Sequence, residues 1–193
     1  DAVADRADVA FDCHWSYTRS AATQLLRALA PYPVWWIEDP IPPENTDAQA
    51  QVTASSAVPI AAGENRYRVR EHERLLRTGA VDIIAPDLPK VGGLRETRRI
   101  ADVADMHATP VALHNVASPV ATMAAVHLGA AIPNLLAVEF HSYQLGWWAD
   151  LIRGSVIEAG QIPVPEGPGL GITLDMDVVD AHRVPGSVLF DAA

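Results

Sequence analysis

Apolar runs of strand length recur along the chain, and each one stops at or beside an acid or a histidine. The six runs are VAFD (9–12), VWWIED (34–39), VPIAAGEN (58–65), VDIIAPD (81–87), TPVALH (109–114) and LLAVE (135–139). Their length and their turn residues predict strands. Between them lie stretches with helical periodicity: SAATQLLRALA, the weaker DAQAQVTASS, RVREHERLLRTG, LRETRRIADVADMH and VATMAAVHLGAA. The order is strand, helix, strand, helix throughout.

The terminal polar residues Asp12, Glu38, Glu64, Asp87, His114 and Glu139 are spaced by 26, 26, 23, 27 and 25 residues. Continuous apolar strands linked by helices imply a parallel sheet covered on both faces. Such a sheet either stays open and doubly wound or closes into a barrel. Neither a G-x-G-x-x-G turn nor a Walker-type loop follows the first strand, which weighs against nucleotide-binding folds. Polar groups at the carboxyl ends of successive strands suit a TIM-like barrel, whose active sites are built there. Six units are present where a barrel wants about eight. The two missing units are expected on the N-terminal side, in agreement with a start at Asp1 rather than methionine. A free-standing six-strand piece would expose two sheet edges, so completion by the same or another chain is expected. Residues 1–171 read as the partial barrel, and 172–193 as a return segment packing on the barrel or on a missing cap; the tail runs through the Gly- and Pro-rich stretch GQIPVPEGPGLGITLDM and is expected to be irregular.

Composition narrows the partners. With 49% hydrophobic and 20% charged residues over 193 positions, the chain is globular in type. Its 24 acids against 14 bases, a net charge of −10, argue against a nucleic-acid surface and against anionic membranes. A small molecule, with a cation, is the better partner. The single cysteine, Cys13, excludes an intrachain disulfide framework and favours a reducing compartment, with the cytoplasm as the expectation. No apolar run approaches the roughly 20 residues that span a bilayer.

Asp12, Glu38 and Glu64 end three successive strands and are expected to converge at one mouth. Three carboxylates in a low-dielectric site repel one another unless a cation neutralises them. Oxygen-only ligands favour Mg²⁺, with Mn²⁺ possible, over zinc. Asp87 and His114 end neighbouring strands, and a carboxylate beside an imidazole fixes its tautomer and raises its basicity, as a general base requires. His14 lies two residues beyond Asp12, on the same side if the segment is extended; it is either a general acid or a loop histidine. Glu139 either faces a developing oxyanion or pairs with an upstream base. His141 is expected at the rim, and His72, His107, His127 and His182 on the surface or in packing.

Taken in order, these motifs resemble the enolase superfamily, in its mandelate racemase-like branch. Asp12 in VAFDCHW, Glu38 in WIEDPIPPEN and Glu64 in PIAAGEN resemble that family's three metal ligands. VDIIAPDLPKVGG and ALHNVASPV resemble the strand ends that carry its Asp-His dyad, here Asp87 and His114. The likeness runs from about residue 7 to the GPGLG segment near 171. The resemblance implies the C-terminal six βα units of a (β/α)₇β barrel, with Mg²⁺ holding a carboxylate substrate and stabilising the enediolate formed on loss of the α-proton. The D-x-H of Asp12 and His14 is similar to that of acid-sugar dehydratases, where the histidine helps expel the β-hydroxyl.

The family also carries an N-terminal capping domain and two earlier barrel strands, the second often bearing a lysine. These have no counterpart here, and Asp1 to Asp8 supply at most the end of a helix. Lys90, on a different loop, is not expected to replace that lysine. The resemblance implies a Mg²⁺-dependent dehydratase of a sugar-derived acid, in a multimeric protein. A racemase or cycloisomerase is the alternative within the family, and an inactive partial barrel serving as an oligomerisation module is the alternative outside it.

Overall fold

Helices and strands alternate as the periodicity predicts, in a computed structural model that describes residues 6–141, 145–154, 156–158 and 160–187. The strands are β1 (Val9–Asp12), β2 (Val34–Glu38), β3 (Ile60–Ala62), β4 (Ile83–Ile84), β5 (Val111–Leu113) and β6 (Leu135–Val138). They pair in parallel and in chain order, β1-β2-β3-β4-β5-β6, as a curled half-barrel. Parallel neighbours cannot be joined by a tight hairpin, so each crossover carries helix. These helices are α1 (Arg19–Leu29), α2 (Thr46–Ala54), α3 (Arg68–Arg77), α4 (Leu88–Val91) with α5 (Leu94–Met106), and α6 (Pro119–Ala131).

The strand alternation divides the core. Ile37 and Ile60 point outward with Ala22 and Leu26 of α1 and Val52 of α2. Ala62, Ile84, Val111 and Leu113 point outward onto α3, α5 and α6, against Leu75, Ile100, Ala101, Ala125 and Leu128. The intervening residues Ala61, Ile83 and Ala112 face the concave side with Trp36, Leu136 and Ala137. A side-chain period of two makes both faces apolar, which is why the strands read as continuous runs. Helix α6 is buried nearly all round, from Pro119 to Gly129, as a helix without a polar face must be. The two edge strands are more open, with Phe11 of β1 and Leu135 of β6 exposed.

Local chemistry sets the helix starts. Thr18 Oγ1 accepts from the Ala21 N–H at 3.3 Å, and Asn45 Oδ1 from the Ala48 N–H at 2.9 Å, each satisfying an otherwise unpaired donor of a first turn. Asp87 does the same for the one-turn helix α4, accepting from the Lys90 N–H at 2.8 Å.

Three features depart from the sequence reading. The run VDIIAPD yields only a two-residue strand, because Pro86 has no N–H for the ladder; the chain rejoins the sheet at Asp87, bridged to His114. Helix α4 was not expected, since four residues show no period. The C-terminal segment is not irregular throughout: it forms α7 (Met176–His182), where Asp175 Oδ1 accepts from the Asp177 and Val178 N–H groups. The Arg153 N–H bonds Thr173 O, and the ring of His127 meets Leu170 O at 3.2 Å, tying this segment to the body. The start of the expected helix end at Asp1–Asp8 (residues 1–5), and the last six residues of the return segment, lie outside the described residues.

Candidate active site

The parallel register brings the strand ends to one level. Asp12 pairs with Glu38 across β1 and β2, and Asp87 bridges His114 across the ends of β4 and β5. Asp12, His14, Glu38, Glu64, Asp87, His114, Glu139 and His141 all line one cavity of about 420 Å³, together with Trp15, Lys90 and Val116. All seven residues expected to carry chemistry therefore share a site.

The imidazole of His114 is its centre. Nδ1 bonds Asp87 Oδ2 at 2.7 Å, Nε2 meets Glu64 Oε2 at 2.9 Å, and Glu139 Oε2 stands 3.7 Å from Nε2. Burial alone would lower the His114 pKa, but the hydrogen bonds to Asp87 and Glu64 and the charges of Glu64 and Glu139 lift it to about 10. Burial likewise pushes the Glu64 carboxyl up, yet His114 and Lys90 together hold it below its ordinary value. Glu139 is fixed by the Asn115 N–H, which donates to Oε2 at 2.8 Å, while the Asn115 side chain donates to Glu139 O and Thr122 Oγ1.

Glu38 is raised to about 7, first by burial and then by the charges of Asp12 and Glu139, against a hydrogen bond from Trp36 Nε1 to Glu38 Oε2 at 3.1 Å. Trp36 and Glu38 are i and i+2 on one strand face, a signal the sequence carried but the acids overshadowed. Asp12 Oδ1 accepts from the His14 N–H at 2.8 Å. His14 reaches the cavity by a different route from the extended one expected: β1 has ended, and His14 and Trp15 turn with φ of 43° and 59°. Their rings lie 3.9 Å apart.

Asp39 turns away from this cavity. It is buried, with φ of 40°, and lines a smaller space with Gln49 and Arg66. Burial, followed by the charges of Glu64 and Glu38, raises its pKa to about 8. Lys90, set aside on sequence grounds, enters the site: its Nζ is 3.4 Å from Glu64 Oε1 and 3.1 Å from Asn65 Oδ1.

Each of the three carboxylates thus already has a protein partner, and among the described residues no three His, Cys, Asp or Glu side chains are gathered as a ready metal cluster. Their chemistry nonetheless fits a hard cation. Asp12, Glu38 and Glu64 present oxygen alone, from adjoining strands, into one cavity, and the burial that raises Glu38, with the charge of Asp12 added to it, is a cost that a divalent ion would relieve.

A model of the enolase C-terminal domain-like family matches residues 1–178. A D-xylonate dehydratase of Haloferax volcanii is 60% identical over 192 residues, which is 99% of this chain and 47% of that protein. Among solved structures, a mandelate racemase/muconate lactonizing enzyme-like protein from Rubrobacter xylanophilus superposes with a TM-score of 0.91 at 41% identity, covering 96% of this chain and 48% of that one. An enolase from Agrobacterium radiobacter, described as a putative galactarate dehydratase with bound Na and L-malate, superposes with a TM-score of 0.85 at 31% identity, covering 92% and 49% of the two chains. The chain spans about half the length of these relatives. Among the described residues, no helix is long and apolar enough to cross a membrane.

Proposed function

Because this chain belongs to the enolase C-terminal domain-like family, we propose that its strand ends form the catalytic face of a Mg²⁺-dependent dehydratase of a sugar-derived acid. D-Xylonate is the first substrate to test, on the strength of the Haloferax volcanii relative. The observation that carries the reading is the His114 imidazole, held by Asp87 on Nδ1 at 2.7 Å, with Nε2 turned to the cavity among the carboxylates of Glu64 and Glu139.

The α-proton of a carboxylate is very weakly acidic, so its removal needs a positioned base and electrostatic stabilisation of the resulting charge. Asp12, Glu38 and Glu64 would hold the Mg²⁺, whose positive charge stabilises negative charge developing on the substrate carboxylate. With Nδ1 committed to Asp87, His114 acts through Nε2. Departure of the Glu64 carboxylate from Nε2 removes a hydrogen bond and a charge that hold the ring protonated; the Nε2 proton is then lost to solvent, and the lone pair so freed takes the α-proton. His14, which lines the same cavity from just past the end of β1, gives a proton to the departing β-hydroxyl, which leaves as water. The remaining enol tautomerises to a 2-keto-3-deoxy acid. Glu139, fixed by Asn115, helps to hold the intermediate.

The experiment incubates the native full-length protein with D-xylonate and Mg²⁺ and follows the products. The 2-keto-3-deoxy acid supports the reading. An epimerised acid, or a rearranged lactone, would replace it with racemase or cycloisomerase chemistry, which shares the proton-abstraction half of the reaction.

A further inference from the structure

Lys90 sits on a turn that the fold holds unusually firmly. Leu88 and Val91 anchor α4 in the core, Pro89 restricts its first residues, and Asp87 Oδ1 accepts the Lys90 N–H at 2.8 Å. The backbone origin of the Lys90 side chain is therefore fixed relative to the same carboxylate that holds His114. From there its Nζ reaches Glu64 Oε1 at 3.4 Å and Asn65 Oδ1 at 3.1 Å, a residue pair just past the end of the neighbouring strand β3.

The contacts close a ring. Asp87 Oδ2 meets His114 Nδ1, His114 Nε2 meets Glu64 Oε2, Glu64 Oε1 meets Lys90 Nζ, and the Lys90 N–H returns to Asp87 Oδ1. Glu64 is nearly enclosed, its side chain 5% exposed against 35% for Lys90. A carboxylate so placed has few other donors with which to fix its rotamer. Of its two oxygens, Oε2 is shared with the base and Oε1 belongs to Lys90. When Oε2 leaves His114, Lys90 is the contact that still aims the group.

We propose that Lys90 is a positioning residue, which holds Glu64 by Oε1 so that its other oxygen can pass from His114 to the metal without the carboxylate losing its orientation. This rests on the reading of Asp12, Glu38 and Glu64 as metal-holding residues. The competing description is an ion pair at the cavity rim that touches neither the metal nor the base; such pairs contribute little to anything measurable. Lys90 is not itself assigned a proton-transfer step, because two acceptors already engage its ammonium group.

The test is Mg²⁺ binding by titration calorimetry, without substrate, on the native full-length protein and on Lys90→Met and Lys90→Gln. Loss of a partner that orients a ligating side chain weakens metal binding by about 10–100-fold, and that loss is expected in both variants, with Lys90→Arg recovering most of it. Their unfolding midpoints should stay close to wild type, since the backbone bond to Asp87 is retained. Metal affinity that is unchanged or tighter in the Met and Gln variants would overturn the proposal while leaving the metal site standing. If wild type itself binds no Mg²⁺ but Asp12, Glu38 and Glu64 are intact, the metal reading and this proposal fall together.

Discussion

Gly63 precedes Glu64, and its replacement by alanine probes how tightly the backbone sets the site. Its φ is +146°, a region that side-chain-bearing residues rarely enter, and a Cβ there would lie 3.1 Å from the backbone nitrogen and oxygen of Ala85 and 3.2 Å from its carbonyl carbon. Those atoms cannot swing aside as a side-chain tip would, because the Ala85 N–H bonds Ala62 O at 3.0 Å. Backbone strain of this kind costs about 1–3 kcal/mol, and forcing β3 from β4 by a few tenths of an ångström adds about as much again. Gly63→Ala should therefore destabilise the protein by roughly 2–6 kcal/mol, a large share of the stability of an ordinary domain. Equilibrium urea unfolding reads this as a lower midpoint with an unchanged slope. The same shift moves the origin of the Glu64 side chain, so Mg²⁺ affinity should fall as well. A loss below about 1 kcal/mol with unaltered Mg²⁺ affinity would refute the idea that close strand contact demands glycine here.

Asp87→Asn keeps the shape of the side chain but loses one of two acceptor oxygens that His114 Nδ1 and the Lys90 N–H both use; turnover should fall by about 10²–10⁴-fold, measured as product formation at saturating substrate. Ile100 is fully buried between α5 and the sheet, and Ile100→Ala should cost about 2–5 kcal/mol in urea unfolding with the metal affinity retained. His72 is fully buried with Nδ1 facing Arg68 O at 2.9 Å, and burial holds its pKa below the ordinary value. The unfolded chain then takes up a proton below about pH 6.5 that the folded chain refuses. The contribution is full above that pH and shrinks as pH falls toward the lowered folded value. His72→Leu should remove this part of the decline, seen as a smaller stability difference between pH 8 and pH 5.5 than in wild type.

The sheet was legible because each strand is apolar on both faces and ends at a polar residue with a nearly constant spacing. That pattern is a direct consequence of helices on the outer face and a packed concave face. The positions of Asp12, Glu38, Glu64, Asp87, His114 and Glu139 followed from it, since register in a parallel sheet carries strand ends to one level. What could not be read was where the residues just past the strands would turn. Asp39, next to Glu38 in sequence, is rotated into a separate buried space by its positive φ. Lys90 enters the cavity because Asp87 caps a helix of one turn, too short to leave any periodicity. Pro86 cuts β4 to two residues although the apolar run around it is longer. In each case a single residue's backbone geometry decided the outcome, and hydrophobic patterning is blind to it.

The division of labour between His114 and His14 can be separated in deuterated water. Full-length wild type, His114→Asn and His14→Asn are incubated with D-xylonate and Mg²⁺, and both deuterium at the substrate α-carbon and the 2-keto-3-deoxy acid are followed by NMR. If His114 removes the α-proton and His14 assists departure of the β-hydroxyl, His114→Asn shows neither exchange nor product. His14→Asn loses product but still exchanges the α-proton. Turnover that survives intact in His114→Asn, or in His14→Asn, would contradict the roles assigned to these strand-end histidines.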